Sequence, residues 1–215
     1  MLIVGAKGFA KEVLEVLNQL DDIDNLAFYD DLQVDAPEFL YKKFEILKTI
    51  DTAQAYFKNI DDRFTLGVGN PVVRKKLFDK LSAIGGQFAS TISPLAHIGS
   101  FGNSIQIGCN IMTGSVITND ISIGRGVLIN LNCTVGHDSN IGEFVELSPG
   151  VHISGNCNIG NYSVFGTNST LLPGIKVGTN VVVGAGSVVT KDVPDNCLVV
   201  GTPAIIKKEL PKLEF

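Results

Sequence analysis

No stretch of the 215-residue chain runs to eighteen apolar residues, so no membrane-spanning helix is expected. Basic residues are outnumbered: 17 Lys and Arg stand against 22 Asp and Glu, for a formal net charge of −5. A nucleic-acid partner would require the opposite balance on at least one face. The first residues have no basic n-region and no apolar h-region, since Met1-Leu2-Ile3-Val4 reads at once as a strand; no secretory leader is expected. There are only three histidines, His97, His137 and His152, and no CxxC pair among Cys109, Cys133, Cys157 and Cys197. That is too few ligands at metal spacing, so a zinc hydratase is disfavoured and no metal site is expected. Cys109, Cys133 and Cys157 fall at small interior positions of the repeat described next. They read as reduced, buried thiols, which suits the cytoplasm.

What the chain does have is a period of six. From Ile105 every sixth residue is apolar: Ile111, Ile117, Ile123, Ile129, Val135, Ile141, Leu147, Ile153, Ile159, Phe165, Leu171, Val177, Val183 and Val189. Four residues beyond each of these, from Ile123 on, lies a small or β-branched residue, as at Cys133, Ser139, Val145, Cys157 and Ser163. Glycine often follows the apolar position directly, as at 124, 136, 142 and 160. Neither a helical period nor strict alternation produces this pattern. A short fixed repeat marks a solenoid, in which each unit buries its apolar face against its neighbours. The reading is a β-helix, and the pattern resembles the hexapeptide-repeat, left-handed β-helix of the acyltransferase superfamily. That resemblance implies three rungs per triangular coil and a homotrimer. An earlier rung at Ile98 lies one residue out of register.

The front of the chain is different. Leu2-Ile3-Val4, the turn Gly5-Ala6-Lys7-Gly8-Phe9-Ala10 and the stripe Val13, Leu14, Val16, Leu17 and Leu20 read as strand, turn and helix. A Gly-rich turn into a helix presents free N–H groups suited to a phosphate. Leu26 to Tyr29 forms a second strand ending in Asp30-Asp31, where a nucleotide's ribose or base commonly meets an acid. Residues 32 to 48 read as an excursion with a weak strand at Phe44–Leu47. Thr52 to Phe57 reads as a helix, Phe64 to Val68 as a strand, and Val72 to Leu81 as a helix opened by Pro71. The division expected is an α/β, Rossmann-like parallel domain over 1–85, a β-helix over 86–204 and a C-terminal cap over 205–215. A short helix is expected at Ala204–Leu210. The front domain is sized for a mononucleotide or nucleotide-linked sugar.

His137 lies two residues past an inward position, so it should point outward, and Asp138 follows it. An imidazole is the natural general base for an attacking amine or hydroxyl, and a carboxylate on its far nitrogen would orient it. The string Asn130-Leu131-Asn132-Cys133-Thr134-Val135-Gly136-His137-Asp138 carries a second resemblance, together with Leu147-Ser148-Pro149-Gly150, Gly184-Ala185-Gly186-Ser187 and Val200-Gly201-Thr202-Pro203-Ala204. With the front domain, it resembles the sialic acid O-acetyltransferase and UDP-4-amino-sugar N-acetyltransferase family over almost the whole chain.

What the resemblance implies is transfer from acetyl-CoA to the amine of a nucleotide-linked amino sugar, with O-acetylation of a sugar or sialic acid as the alternative. His137 would be the base, Asp138 its partner, and Asn130 would lie near the reacting amine. Lys7, Gly8, Phe9, Asp30, Asp31 and Gly69 would line the nucleotide-sugar pocket. Glu146, Gly155, Thr167, Ala185 and Lys191 would meet acetyl-CoA, with Lys207 and Lys208 near its phosphates. Glu146 and Phe9 stand where the family usually shows histidine. Active sites between subunits are expected, with no Ser or Cys nucleophile.

Overall fold

The computed structural model describes residues 1–32 and 37–214. The chain opens with β1 (Leu2–Val4), α1 (Gly8–Gln19), β2 (Ala27–Tyr29), β3 (Phe39–Leu40), β4 (Phe44–Leu47), α2 (Ile50–Asn59), β5 (Arg63–Leu66), α3 (Pro71–Ala83) and β6 (Gln87–Phe88). Its sheet has the order β3-β4-β2-β1-β5-β6. All pairings are parallel except that of β3 with β4. The central strand β1 is buried at every position. This is why it reads as a continuous apolar run rather than an alternation. On α1 the residues Ala10, Val13, Leu14, Val16 and Leu17 make the buried stripe. At the start of α3 the Asn70 side chain accepts from the Val72 and Val73 N–H groups, and Pro71 occupies the first turn. The excursion read over 32 to 48 includes residues 33–36, which lie outside the described ones; the remainder forms β3 and β4.

From Thr91 onward the chain winds into a triangular coil of two-residue strands on three faces. The first face stacks Thr91–Ile92, Asn110–Ile111, Leu128–Ile129, Glu146–Leu147, Val164–Phe165 and Val182–Val183. On the second face are His97–Ile98, Val116–Ile117, Thr134–Val135, His152–Ile153, Thr170–Leu171 and Val188–Val189. Ser104–Ile105, Ser122–Ile123, Asn140–Ile141, Asn158–Ile159 and Lys176–Val177 make the third. The second residue of each pair turns inward, and the six-residue series forms one continuous core. Ile98 pairs with Ile117, whereas Ile105 pairs with Ile123. The extra residue therefore sits between Ile98 and Ile105, and the coil begins one rung earlier than Ile98, at Thr91–Ile92.

One expectation fails. Residues 204 to 210 are not a helix: Ala204–Glu209 is a strand, antiparallel to Cys197–Gly201, and the hairpin extends the first face. Leu198 and Val199 pair with Val182 and Val183 of the last coil. That exposed sheet edge offers unpaired backbone groups, and β-branched Ile205 and Ile206 favour pairing there over a helical turn.

The α/β part is fastened to the first face. Asn110 donates from Nδ2 to the Leu66 carbonyl at 2.8 Å, Thr65 donates to Asn110 Oδ1 at 3.1 Å, and Thr91 donates to Thr65 at 3.1 Å. All three bonds are buried; breaking such a bond while its partner stays buried costs about 1–3 kcal/mol. Phe9 and Val16 of the α1 region pack with Met112, Leu128 and Leu131 of the coil.

Candidate active site

A cleft of about 420 Å³ opens in the α/β part. Its lining includes Gly5 and Lys7 from the first turn, Tyr29, Asp30 and Asp31 after β2, Gly67 and Val68 after β5, and one side of α3. Of the expected pocket residues, Lys7, Asp30 and Asp31 therefore line it. Gly8 lies just beyond, in the first turn of α1. Phe9 turns toward the coil instead, and Gly69 abuts Glu146.

The α3 side of the cleft was not singled out from the sequence. Val73, Lys76, Leu77 and Lys80 line the cleft at i, i+3, i+4 and i+7; the helical spacing puts them on one face, but that this face meets the cleft is set by tertiary packing. Lys80 donates to Asp31, which also accepts from the Tyr29 hydroxyl at 3.0 Å. Burial alone would raise the Asp31 carboxyl, but the bonds from Lys80 and Tyr29 outweigh it and hold it below the usual carboxylate value. Lys80 is pulled down by burial and held above its ordinary value by Asp31 and Tyr29.

On the coil, His137 and Asp138 occupy the corner between the second and third faces, both exposed. Asp138 Oδ2 lies 2.7 Å from His137 Nδ1. A carboxylate accepts, so Nδ1 carries a proton, and in the neutral imidazole Nε2 is the nitrogen left with a lone pair. The His137 carbonyl is pinned by the Asn156 N–H at 2.8 Å. Gly155 lies one coil further along the same corner: a Cβ there would approach His137 Nε2 to 2.7 Å. The Gly155 N–H makes no hydrogen bond among the described residues. Lys191 is exposed farther along this corner.

Asn130, Thr167 and Ala185 lie at a different corner, between the first and second faces. Asn130 is almost buried; its Oδ1 accepts from the Leu131 N–H at 2.7 Å, and its carbonyl accepts from the Ser115 hydroxyl at 2.6 Å. Glu146 points outward from the first face, under α3. One chain thus holds the expected site in two halves. The cleft, Glu146, Asn130, Thr167 and Ala185 belong to the first face and its edge. The pair His137–Asp138, with Gly155 and Lys191, lies on the corner opposite that face.

His152 is on the second face, with Nδ1 3.0 Å from the Thr134 hydroxyl. Among the described residues, no group of three or more His, Cys, Asp or Glu side chains is gathered to hold a metal. The four cysteines are free and buried, and burial pushes the Cys109 and Cys133 thiols up to about 11. Neither is a ready nucleophile at neutral pH. No helix among the described residues is long and apolar enough to cross a membrane.

Residues 1–81 match the family model of the PglD N-terminal domain, and residues 156–191 match that of the bacterial transferase hexapeptide, six repeats. No curated protein matches the chain. Among solved structures, the chain is similar to a histidine-to-asparagine mutant of perosamine N-acetyltransferase from Caulobacter crescentus, in complex with CoA and GDP-perosamine. The identity is 27%, coverage is 97% of this chain and 96% of that one, and the TM-score is 0.90. The acetyltransferase domain of PglB from Neisseria gonorrhoeae FA1090, in complex with acetyl coenzyme A, is 29% identical over 95% of this chain and 97% of that one, with a TM-score of 0.85. WeeI from Acinetobacter baumannii AYE is 31% identical over 95% and 98%, with a TM-score of 0.85. The fold is a parallel α/β domain followed by a left-handed β-helix. The chain belongs to the hexapeptide-repeat sugar N-acetyltransferases, acyltransferases that use acetyl-CoA as co-substrate.

Proposed function

We propose that the chain transfers the acetyl group of acetyl-CoA to the amine of a nucleotide-linked 4-amino sugar, of the UDP type or its GDP counterpart, with His137 as general base. The observation that carries the base is the 2.7 Å contact between His137 Nδ1 and Asp138, which leaves Nε2 as acceptor on an exposed corner. The amine nitrogen attacks the thioester carbonyl carbon and gives a proton to Nε2. The Gly155 N–H faces the developing oxyanion. As the tetrahedral intermediate collapses, the carbon–sulfur bond breaks, and the CoA thiolate takes the proton back from His137. An amide and a free thiol result, with no acyl-enzyme. Thr167, Ala185 and Lys191 accompany the CoA arm. Lys7, Gly8, Asp30, Asp31 and Gly69 belong to the nucleotide-sugar side, Phe9 supports that side from the coil junction, and Asn130 lies near the amine. The residue ranges 1–85, 86–204 and 205–215 serve as substrate domain, acetyl-transfer domain and cap.

The working unit in this reading is a homotrimer with each site between two subunits. The two halves of the site lie on the two edges of the second face. Pointing outward from that face are His97, Val116, Thr134, His152, Thr170 and Val188, with no carboxylate, lysine or arginine. The third face, by contrast, presents Ser104, Ser122, Asn140, Asn158 and Lys176. A face of valines, threonines and two histidines, free of carboxylates, lysines and arginines, suits packing against a second copy, which would bring its own His137 to the neighbour's cleft. The cytoplasm is the proposed compartment, in keeping with four free cysteines.

The test is product analysis with acetyl-CoA and UDP-, GDP- or dTDP-linked 4-amino sugars, alongside sialic acid. A single N-acetylated nucleotide sugar is the expected product. Acetylation of a hydroxyl acceptor alone would replace this reading with O-transfer.

A further inference from the structure

Where α3 meets the first face, a carboxylate stands at the edge of the cleft. Glu146 is the outward residue of the Glu146–Leu147 strand and is only partly buried. A Cβ placed on Gly69 would lie 3.0 Å from Glu146 Oε1. Gly69 directly follows Gly67 and Val68, which line the cleft, so the cleft wall runs on to this carboxylate. Behind it lies Arg74, fully buried on α3, the helix whose other side lines the cleft; its guanidinium donates to the Val145 carbonyl at 3.5 Å. Burial pushes the Glu146 carboxyl up, while the Arg74 charge and a hydrogen bond from Ser148 oppose that rise. Beside this strand, the Asn130 N–H donates to the Leu147 carbonyl at 2.9 Å; the register sets Leu128 opposite Glu146, so Asn130 lies two residues farther along, at the edge that also carries Thr167 and Ala185.

The chemistry of the group decides which reactant it faces. An ionised carboxylate accepts hydrogen bonds and donates none. A thioester carbonyl likewise only accepts, so the two oxygens would repel each other. A sugar amine offers N–H donors, and before transfer it is an ammonium whose bond to a carboxylate is charge-assisted. We propose that Glu146, backed by Arg74, is a specificity-determining residue that accepts a hydrogen bond from the amino group of the nucleotide-linked sugar where it leaves the cleft, and so selects an amine over a hydroxyl. This rests on the nucleotide amino-sugar reading above. Glu146 forms no covalent bond and takes no proton in the reaction. The ammonium releases one proton to water, and the neutral amine then gives its second to His137 as it attacks.

The experiment measures binding by calorimetry, using pairs of UDP- or GDP-linked sugars that differ only in an amino or hydroxyl group at C4. Wild type, Glu146→Gln and Glu146→Asp are compared, each checked for folding by circular dichroism. Wild type should prefer the amino sugar by roughly tenfold or more. Glu146→Gln should bring the ratio close to one and leave KM for acetyl-CoA within about twofold, whereas Glu146→Asp, which keeps the charge, should retain part of the preference. An unchanged preference in Glu146→Gln would overturn the proposal. So would a rise in KM for acetyl-CoA with the preference intact, which would place Glu146 on the acyl side. If Glu146→Gln does not fold, the folded Glu146→Asp decides: a reduced preference supports the proposal, and an unaltered preference overturns it. A wild-type enzyme that binds or acetylates no amino sugar is a separate result: it refutes the functional reading itself.

Discussion

Gly155 lies so close over His137 that a methyl group on its Cα would come within 2.7 Å of both Nε2 and Cε1. The lone pair assigned to the base therefore faces a spot that only a glycine leaves open. The imidazole is exposed, so in Gly155→Ala it can swing aside at little cost in stability. We expect Gly155→Ala to unfold within a few degrees of wild type and to lose acetyl transfer by about tenfold to a hundredfold. A displacement of the order of 1 Å at a reacting group costs on that scale. Thermal unfolding and initial rates on one preparation check this. A large loss of stability with normal activity per folded molecule would contradict it.

Asp138 contributes charge and also an unusual backbone, with φ at 58°. Aspartate and asparagine tolerate this left-handed conformation, but alanine pays about 1–2 kcal/mol for it. Asp138→Asn should keep wild-type stability while lowering kcat by tenfold or more, because an amide can present the wrong partner to Nδ1 and the wrong tautomer follows. Asp138→Ala should show the same kinetic loss and a lower melting temperature in addition. Equal stability of the two variants would sink the backbone part of this account.

Because the cleft and His137 lie on opposite sides of one coil, two inactive variants should rescue each other. A variant lacking the base, His137→Ala, mixed with a cleft variant such as Asp30→Ala/Asp31→Ala, then unfolded and refolded together, should form mixed trimers. Some of their sites would combine an intact cleft with an intact base. Activity should rise well above that of either parent alone. If both halves came from the same chain, no mixed site would recover.

The ion pair of Lys80 with Asp31 gives a pH signature. The folded-state pKa of Asp31 is depressed, so its stabilising contribution is present above the ordinary carboxylate value of about 4 and fades as pH falls through the folded value. The pKa of Lys80 is raised, so its contribution is present below about 10.4 and fades as pH rises through the folded value. Both side chains are partly exposed, at 40% for Lys80 and 28% for Asp31, so the pair is worth at most about 1 kcal/mol. Denaturant melts of wild type and Asp31→Asn should therefore differ slightly from pH 5 to 9, in this window between the two values, and converge in acid. A gap that widened in acid would have the wrong sign.

Much of this was legible in the sequence because it depends on local order. The six-residue period sets the coil, and the adjacency of His137 and Asp138 alone puts an acid next to the base. The turn after Val4 and the acids after Tyr29 marked the cleft for the same reason. The Lys80–Asp31 ion pair and the charge of Arg74 near Glu146 join residues far apart in the chain, and nothing local signals them. Nor does any local feature tell that the α/β part rests on the first face, which puts the base on the far corner. The C-terminal strand was misread because helix or strand at Ala204–Glu209 depends on the open edge of the last coil, a tertiary feature.

The central claim is that His137 takes the proton from an amine attacking acetyl-CoA. The most direct measurement is the initial rate of thiol release from acetyl-CoA with a nucleotide-linked 4-amino sugar, for wild type and for His137→Ala at equal folded concentration. The account predicts rapid release in wild type and a fall of roughly 10²–10⁴-fold in the variant, with binding of the nucleotide sugar retained. A His137→Ala enzyme that turned over within a few fold of wild type would contradict it.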